Sequence, residues 1–189
     1  GHTGFVGTWL YYFFKKKKFN IYGIGLKPKY KSDLFYKLKI DEDRNSRIIN
    51  ILNIKKLENY FKKIKPNIIF HLAAESLVLD SLKNPNLSYK TNINGTLNVL
   101  NLINKNNCIK TAIFFTTDKV YENENTKKNF TEKDQLGGDD PYSGSKSASE
   151  MVINSYTKSF LQNKKIIIIR CGNIIGGGDN SKNRIIPDI

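Results

Sequence analysis

The chain has 189 residues, enough for one sizeable hydrophobic core or for one domain and the start of another. Its formal net charge of +14 comes from lysines spread along the whole chain, which indicates a solvated basic surface more than a patch that binds nucleic acid. No apolar run is long enough to cross a membrane, and Cys108 and Cys171 lack the spacing of metal ligands or of a disulfide framework, so we expect a metal-free protein of the reducing cytoplasm.

The first seven residues, GHTGFVG, have glycines at positions 1, 4 and 7. This spacing is a variant of the turn that joins a buried strand to a helix in dinucleotide-binding domains. Gly1 would allow a sharp turn, Gly4 a close approach of the backbone to a pyrophosphate, and Gly7 close packing of the helix on the sheet. The seven residues alone are equally typical of a glycine-rich turn that caps an ordinary helix.

The residues after this turn favour the dinucleotide-binding interpretation. The run at 21–26 predicts a short buried strand, and four apolar residues before it predict one face of a helix, namely Trp9, Leu10, Phe13 and Phe14. Turn, helix and strand therefore follow one another in the order of a dinucleotide-binding unit. The strand that should precede Gly1 is missing, so we expect a chain truncated at its N-terminus.

Strand and helix patterns alternate along the rest of the chain. Apolar runs predict strands at 67–74, 110–116 and 164–173, with a further apolar stretch at 47–52. Helical periodicity predicts helices around 57–64, across 89–103 and from about residue 141. Parallel strands need crossover helices, so this alternation predicts an α/β fold with a parallel sheet covered on both faces. Ligands bind at the carboxyl ends of such strands, here at 71–75, 116–119 and 171–179.

The segment PYSGSK places Tyr142 and Lys146 four residues apart at the start of a predicted helix. Residues at this spacing lie on one helical face, one turn from each other. An ammonium group beside a phenol favours the phenolate, which makes a tyrosine a usable base near neutral pH. Taken alone, the pair is more typical of a surface tyrosine with a nearby lysine.

The segment TTDK ends a predicted strand and contains Thr116, Thr117, Asp118 and Lys119. It brings hydroxyl, carboxyl and ammonium groups to the edge of the sheet where ligands are expected. In an arbitrary protein such a segment is usually a helix cap or a turn. Its position between the glycine turn and the Tyr142–Lys146 pair makes a catalytic role the better hypothesis.

Six motifs together resemble the extended short-chain dehydrogenase/reductase family: GHTGFVG, HLAAES, TNINGT, TTDKVY, YSGSK and RCGNIIGGGD. The resemblance covers nearly the whole chain and implies a Rossmann-like, doubly wound parallel sheet in three layers. It also implies that residues 1–172 form the cofactor-binding domain, without its first strand, and that 173–189 begin a substrate-binding region that is cut short. Both ends of the protein are then expected to be missing.

The resemblance implies NAD as the cofactor. The implied cofactor-binding residues are Gly1, Thr3, Gly4, Phe5, Val6, Gly7, Asn50, Ile51, Leu72, Ala73, Ala74, Thr91, Thr116, Tyr142, Lys146 and Cys171. Lys27 stands where NAD-binding domains often have an acidic residue that accepts hydrogen bonds from the ribose. A lysine there could instead contact the 2′-phosphate of NADP, or could simply point to water. Asn50 replaces the acidic residue that the family often places near the adenine.

Within this family the motifs are similar to those of the nucleotide-sugar 4,6-dehydratases, particularly the branch that acts on CDP-glucose. The implied catalytic residues are Thr117, Asp118, Lys119, Tyr142 and Lys146, and the implied substrate-binding residues are Glu75, Thr117, Asn173 and Arg184. Lys119 stands where the dTDP-glucose enzymes have Glu, whereas Glu75 replaces the Gln that is usual in the CDP-glucose branch. The resemblance also implies a homo-oligomer, a dimer or a tetramer.

Two other functions remain open at this stage. An epimerase or reductase of nucleotide sugars would share the fold, but neither needs an acid such as Asp118 to expel a hydroxyl group. A non-catalytic protein that senses dinucleotides would also share it, but would have no use for Tyr142, Lys146, Thr117 and Asp118 together.

Overall fold

The structure is a computed structural model, and it describes residues 1–123 and 129–181. The chain forms two compact units. The first contains residues Gly1–Asn50 and the described part of Asn173–Ile189, and the second contains Ile51–Gly172. The predicted boundary between a cofactor-binding and a substrate-binding domain after residue 172 stays a prediction.

The first unit contains two helices and two short strands, which are α1 (Phe5–Lys16), β1 (Gly23–Gly25), α2 (Leu34–Lys37) and β2 (Ser46–Ile48). The strands are parallel, with Ile24 opposite Arg47. The residues before α1 lie along β1, since the His2 N–H donates to the Ile24 carbonyl at 3.2 Å. A small core of Tyr11, Phe35 and Ile40 closes the unit.

The apolar face predicted for α1 is only partly buried, since Leu10 and Phe14 are half-buried and the other two residues are exposed. Trp9 is 39 % exposed and Phe13 53 % exposed, whereas the buried residues of the helix are Gly7, Thr8 and Tyr11. The Trp9 indole N–H donates to the Gly177 carbonyl at 2.8 Å, so its ring edge lies under residues that come late in the chain. Nearly every position of this helix is apolar or aromatic, so periodicity could not distinguish its buried side.

The second unit contains the longer elements: α3 (Ile54–Ile64), β3 (Ile68–His71), α4 (Val78–Lys83), α5 (Pro85–Tyr89), α6 (Gly95–Lys105), β4 (Thr111–Thr117), α7 (Pro141–Phe160) and β5 (Lys165–Cys171). A π-helical segment, Lys90–Asn94, joins α5 to α6, and a 3₁₀ turn, Asp118–Val120, follows β4. Local signals explain several boundaries. Asn53 and Asn84 cap the N-termini of α3 and α5, and Lys65 ends α3 in the left-handed conformation.

The strands of the second unit are parallel and pair in the order β3–β4–β5. In the β4–β5 ladder, Thr116 lies opposite Arg170 and Thr117 opposite Cys171. The helices cover a core that includes Leu57, Val99, Leu100, Leu102, Ile103, Ile109, Ala112, Phe114, Val120, Ile153 and Leu161, all buried. The ladder therefore brings the ends of β4 and β5 side by side.

The α/β fold with parallel strands is confirmed. Each of β3, β4 and β5 begins one residue after its predicted start; β4 ends one residue later than predicted, β5 two residues earlier and β3 three residues earlier. The short helices α2 and α4 were not predicted, since four and six residues are too few for a periodic signal. Within the described ranges, no helix is long and apolar enough to span a membrane. Arg184 lies outside the described residues.

Candidate active site

The carboxyl ends of β4 and β5 form one edge of the second unit. Thr117 ends β4 opposite Cys171, and a Cβ atom placed on Gly172 would lie 3.6 Å from Asp118 Oδ2. The TTDK segment and the start of the RCGN segment are therefore neighbours, as their positions at strand ends predicted.

The TTDK segment forms a capped turn. Thr117 is the N-cap of the 3₁₀ turn, accepts a hydrogen bond from the Lys119 N–H at 3.3 Å and donates one to Asp118 Oδ1 at 3.2 Å. Asp118 and Lys119 are both exposed, while Thr117 is buried. The capping geometry considered as an alternative is thus present, and it also presents a carboxylate and an ammonium group to solvent beside a fixed hydroxyl.

The N-terminus of α7 is held by a capping box. The Asp140 side chain accepts from the N–H groups of Tyr142 and Ser143 at 2.8 and 3.1 Å, and the Ser143 hydroxyl accepts from the Asp140 N–H at 3.1 Å. Pro141 occupies the first helical position, where its missing N–H costs nothing. The Tyr142 N–H also lies 3.1 Å from the Ser81 hydroxyl on α4. These contacts fix the helix that presents Tyr142 and Lys146.

Lys146 is buried, with 6 % of its surface exposed. Its ammonium group donates to the Phe115 carbonyl of β4 at 2.8 Å. Burial lowers the pKa of Lys146 to about 8, against the opposing charge of Glu150. The lysine therefore remains mostly cationic at neutral pH, close enough to its midpoint for small electrostatic changes to matter.

Glu150 and Arg170 form a buried ion pair that the sequence motifs did not predict. Arg170 Nη2 lies 2.7 Å from Glu150 Oε2, and Nε contacts both carboxylate oxygens. The Thr116 hydroxyl donates to Glu150 Oε1. In this structure, the hydroxyl predicted to contact the cofactor is thus bonded to Glu150. The signal available in the sequence was the position of Glu150 four residues after Lys146.

The π-helical segment holds the loop that follows β3. The Asn92 side chain accepts from the Glu75 N–H at 2.9 Å and donates to the Glu75 carbonyl at 3.0 Å and to the Ser145 hydroxyl at 2.8 Å. Thr91, predicted to contact the cofactor, is buried in the same segment. Such segments are frequent at functional sites, because the changed register leaves backbone groups for other partners. Here the Asn92 carbonyl accepts from the Ser149 hydroxyl at 2.7 Å.

His71, at the end of β3, belongs to the same polar network. Its Nε2 lies 3.0 Å from the Thr96 hydroxyl, which itself donates to the Asn92 carbonyl at 2.6 Å. Burial and the charge of Lys146 lower the pKa of His71 to about 3. The ring is therefore neutral at physiological pH and serves as a hydrogen-bonding spacer between β3 and the helices.

The glycine turn of the first unit matches the requirements of an anion site. Gly4 is the N-cap of α1, no side chain caps this end, and its first turn has no acidic residue. A Cβ atom on Gly7 would collide with the Gly1 carbonyl oxygen, so the turn needs glycine at that position. Uncapped N–H groups at a helix start favour an anion such as a pyrophosphate.

The other predicted cofactor and substrate residues are divided between the two units. In the first unit, Asn50 and Asn173 are exposed and Thr3, Phe5 and Val6 are half-buried; in the second, Ile51 is buried and Leu72, Ala73, Ala74, Glu75 and Cys171 are half-buried. Lys27 is exposed and lines an open recess with Lys31 and Ser46. In the described part of the chain, no cluster of three potential ligands could hold a metal ion.

Comparison with known proteins shows the family. The model of the NAD dependent epimerase/dehydratase family matches residues 1–189. CDP-glucose 4,6-dehydratase of Salmonella typhimurium is 35 % identical over 196 residues, which cover 100 % of this chain and 55 % of the relative. dTDP-D-glucose 4,6-dehydratase of Dictyostelium discoideum is 34 % identical, with 99 % of this chain and 45 % of the relative covered. The chain thus spans about half the length of the curated relatives it matches.

Solved structures are similar to this chain over nearly its whole length. The dTDP-glucose 4,6-dehydratase of Bacillus anthracis, in complex with NAD, matches with a TM-score of 0.79 and 27 % identity, covering 99 % of this chain and 57 % of that one. The UDP-glucose 4-epimerase of Thermus thermophilus has a TM-score of 0.82 at 20 % identity, over 97 % of this chain and 57 % of that one, which shows the shared fold alone. The chain belongs to the NAD dependent epimerase/dehydratase family.

Proposed function

We propose that the whole protein containing this chain is a nucleotide-sugar 4,6-dehydratase that converts CDP-glucose to CDP-4-dehydro-6-deoxyglucose. The observation that carries the proposal is the placement of Thr117 and Asp118 at the end of β4, with α7, which contains Tyr142, tied to the same strand through Lys146. A relative 35 % identical over this whole chain is a CDP-glucose 4,6-dehydratase, which supports the choice of substrate.

NAD fits the residues that the chain offers it. The glycine turn before α1, with its uncapped helix N-terminus and Gly7, would hold the pyrophosphate. Tyr142 and Lys146 would contact the nicotinamide ribose. Lys27 is exposed, and in this assignment its side chain points to water. When bound, the cofactor supplies a hydride acceptor for carbon 4 of the sugar and later a hydride donor for carbon 6.

The first chemical step is oxidation at carbon 4 of the glucosyl group. Tyr142 takes the proton of the carbon 4 hydroxyl as hydride leaves the same carbon, and a ketone forms. The cationic Lys146 favours the phenolate of Tyr142. Thr117 is held by the hydrogen bond that it accepts from the Lys119 N–H. Its single hydroxyl proton, which here is donated to Asp118, would turn to the carbon 4 oxygen when substrate binds.

The second step is loss of water across carbons 5 and 6. The ketone acidifies the hydrogen on carbon 5, and Asp118 protonates the carbon 6 hydroxyl as it departs. Lys119 is the candidate proton acceptor or relay at carbon 5. The Asp118 and Lys119 side chains are exposed in this structure. Lys119 can act as a base only after it loses its proton, so bound substrate must first displace the water that stabilises its charge.

A second candidate is a nucleotide-sugar 4-epimerase, which shares the oxidation step. Asp118 decides between the two, because epimerisation expels no hydroxyl group and needs no acid at carbon 6. dTDP-glucose is the alternative substrate for the dehydratase. Two observations support dTDP-glucose. The Dictyostelium discoideum and Bacillus anthracis relatives are dTDP-glucose dehydratases, and the HLAAES motif has Glu75 where the CDP-glucose branch usually has Gln.

The test is substrate choice by the whole protein. CDP-glucose and dTDP-glucose are supplied separately and together, and the 4-keto product is quantified for each. We expect a higher kcat/KM with CDP-glucose. Efficient conversion of dTDP-glucose with none of CDP-glucose would overturn the substrate and leave the dehydratase reaction standing.

We also propose that the whole protein is a cytoplasmic homo-oligomer. Exposed apolar side chains on helices of the second unit support association, and these are Leu79, Leu82, Leu87, Leu97 and Met151. Cys108 and Cys171 are free thiols, in keeping with a reducing compartment. Light scattering of the purified protein measures its mass directly.

A further inference from the structure

Helix α7 is tied to β4 at two consecutive strand residues. The Lys146 ammonium donates to the Phe115 carbonyl at 2.8 Å, and the Thr116 hydroxyl donates to the Glu150 carboxylate. Lys146 and Glu150 lie one helical turn apart, so two side chains on one face of α7 hold the strand just before Thr117. These ties set the distance between the two halves of the candidate catalytic set.

Arg170 extends the connection to the third element, β5. It lies opposite Thr116 in the ladder, and its guanidinium contacts the Glu150 carboxylate through Nε and Nη2. Glu150 is only 1 % exposed, so this cation offsets a charge that would otherwise be buried alone. The guanidinium carbon, Cζ, also lies 4.7 Å from the centre of the Tyr121 ring, a cation–π contact.

We propose that Glu150 and Arg170 are a positioning pair for the reaction, in which Glu150 aligns Thr117 with Lys146 and its negative charge keeps Lys146 protonated. The proposal rests on the proposed function, since it assigns Lys146 a role in favouring the Tyr142 phenolate. Neither member of the pair reaches the reacting atoms; both act through the residues that do.

The electrostatic half of the proposal concerns the groups that face Lys146. These are Glu150 on its own helix, Cys171 on β5 and His71 on β3, with Arg170 on the far side of Glu150. His71 is neutral at physiological pH, and burial raises the pKa of the Cys171 thiol. Glu150 is therefore the one full negative charge among these four groups, and it opposes the desolvation that lowers the pKa of Lys146.

The first experiment uses Glu150→Gln in the whole protein. Glutamine can still accept from Thr116, so the variant removes the charge and keeps the shape. The charge on Lys146 is titrated by competitive acylation and mass spectrometry of its peptide, without substrate, and the rate of nicotinamide reduction is measured on mixing with CDP-glucose. We expect the Lys146 midpoint to fall by roughly one pH unit. The cationic fraction of Lys146 then drops only by about half at pH 7, so reduction should slow by roughly 2-fold there and by roughly 10-fold near pH 9, above both midpoints.

Two control variants test whether the change at Lys146 is specific to Glu150. One removes a carboxylate elsewhere on the protein, and the other loosens the packing of α7. Glu58→Gln breaks the exposed pair with Lys105, and Ile153→Val trims a buried residue one turn farther along α7. Both should leave the Lys146 titration and the reduction rate unchanged. An unchanged Lys146 midpoint in Glu150→Gln, or an equal shift in either control, would overturn the proposal.

The double variant Glu150→Gln/Arg170→Gln decides between positioning and mere structural support. Arg170→Gln alone leaves a buried carboxylate without its cation and should lower the melting temperature, whereas the double variant should regain most of that loss. We expect it to keep the shifted Lys146 titration and the slow reduction. If the Lys146 midpoint and the reduction rate return to their wild-type values together with the melting temperature, the pair is only structural. If the wild type reduces no cofactor with any nucleotide sugar, the proposed function fails, and the Lys146 titration still decides the role of Glu150.

Discussion

Lys146 is the residue at which burial and charge compete most directly. Its side chain is almost fully enclosed, and the ammonium group donates to the Phe115 carbonyl, with Glu150 as the nearby opposite charge. In the proposed reaction the positive charge of Lys146 assists Tyr142, whereas its burial destabilises the folded state. A stability measurement can therefore detect it independently of activity.

We predict that Lys146→Met stabilises the protein at pH 7 and abolishes its activity. The pKa of Lys146 falls from 10.5 to about 8 on folding, so below pH 8 the fold carries the cost of a buried cation. Removing it should gain about 1–3 kcal/mol, part of which is offset by the lost bond to Phe115. As the pH rises from 8 to 10.5, the folded lysine is neutral first and wild type gains stability, so the difference between the two proteins should shrink.

Urea unfolding at a series of pH values checks this prediction. Lys158→Met, which removes an exposed lysine from the same helix, is the matched control and should show no such pH dependence. A Lys146→Met variant that is less stable than wild type at pH 7, with a parallel pH curve, would contradict the account of Lys146.

Tyr142 and Asp118 are predicted to act at different steps. Tyr142→Phe should abolish nicotinamide reduction, because the proton acceptor at carbon 4 is gone while the ring still packs. Asp118→Asn should still reduce the cofactor but lose the acid at carbon 6, so reduced nicotinamide accumulates and product formation slows by roughly 100-fold or more.

Stopped-flow absorbance follows the nicotinamide, and a parallel assay follows the 4-keto sugar. Asp80→Asn, which changes an exposed carboxylate on α4, should match wild type in both. The assignment of Asp118 fails if its variant loses reduction and product to the same extent.

The motif residues could be predicted from the sequence, whereas the residues that support them could not. Tyr142 and Lys146 have a recognisable local spacing, and Asp118 follows a clear strand. The partner of Glu150 lies 20 residues away, and the contact exists because β5 pairs with β4 in one register. Register depends on the whole sheet, which is why the pairing of Arg170 was not visible in advance.

At the scale of elements, the helical path from Pro85 to Lys105 shows what periodicity can reveal and what it cannot. The apolar spacing across 89–103 correctly predicted a long helix. It did not predict the π-helical segment at Lys90–Asn94, because one changed turn shifts the pattern by a single residue. That segment is what turns Asn92 toward the backbone of Glu75.

Gly95 follows this segment, and we predict that Gly95→Ala is destabilising although alanine favours helices. An added Cβ atom would collide with the Ile51 side chain, which is buried. The expected loss is about 1–3 kcal/mol, the usual range for overpacking a core.

Thermal unfolding compares this variant with Gly144→Ala, whose added Cβ atom meets the Tyr89 hydroxyl at 3.4 Å. Gly144 also lies in a helix, so it gains the same helical propensity with little steric cost, and its melting temperature should stay near that of wild type. Equal melting temperatures for the two variants would contradict this prediction, because they would show that the Ile51 side chain can move away from the added Cβ atom without loss of stability.

At the scale of the whole molecule, the family and the parallel α/β fold were accessible from the sequence because the motifs follow strand ends in order. The substrate is harder to infer. Dehydratases and epimerases share the fold and the oxidation step, and the chain spans about half the length of its relatives. Under the proposed function, the two reactions are separated by one carboxylate, Asp118, which lies beside Thr117.

The central claim is that this family member expels water from a nucleotide sugar, and the mass of the product tests it most directly. The whole protein is incubated with CDP-glucose in the presence of NAD, and the nucleotide sugar is analysed by mass spectrometry and NMR. We predict a product lighter by one water molecule, with a ketone at carbon 4 and a methyl group at carbon 6. A product of unchanged mass, inverted at carbon 4, would contradict the claim.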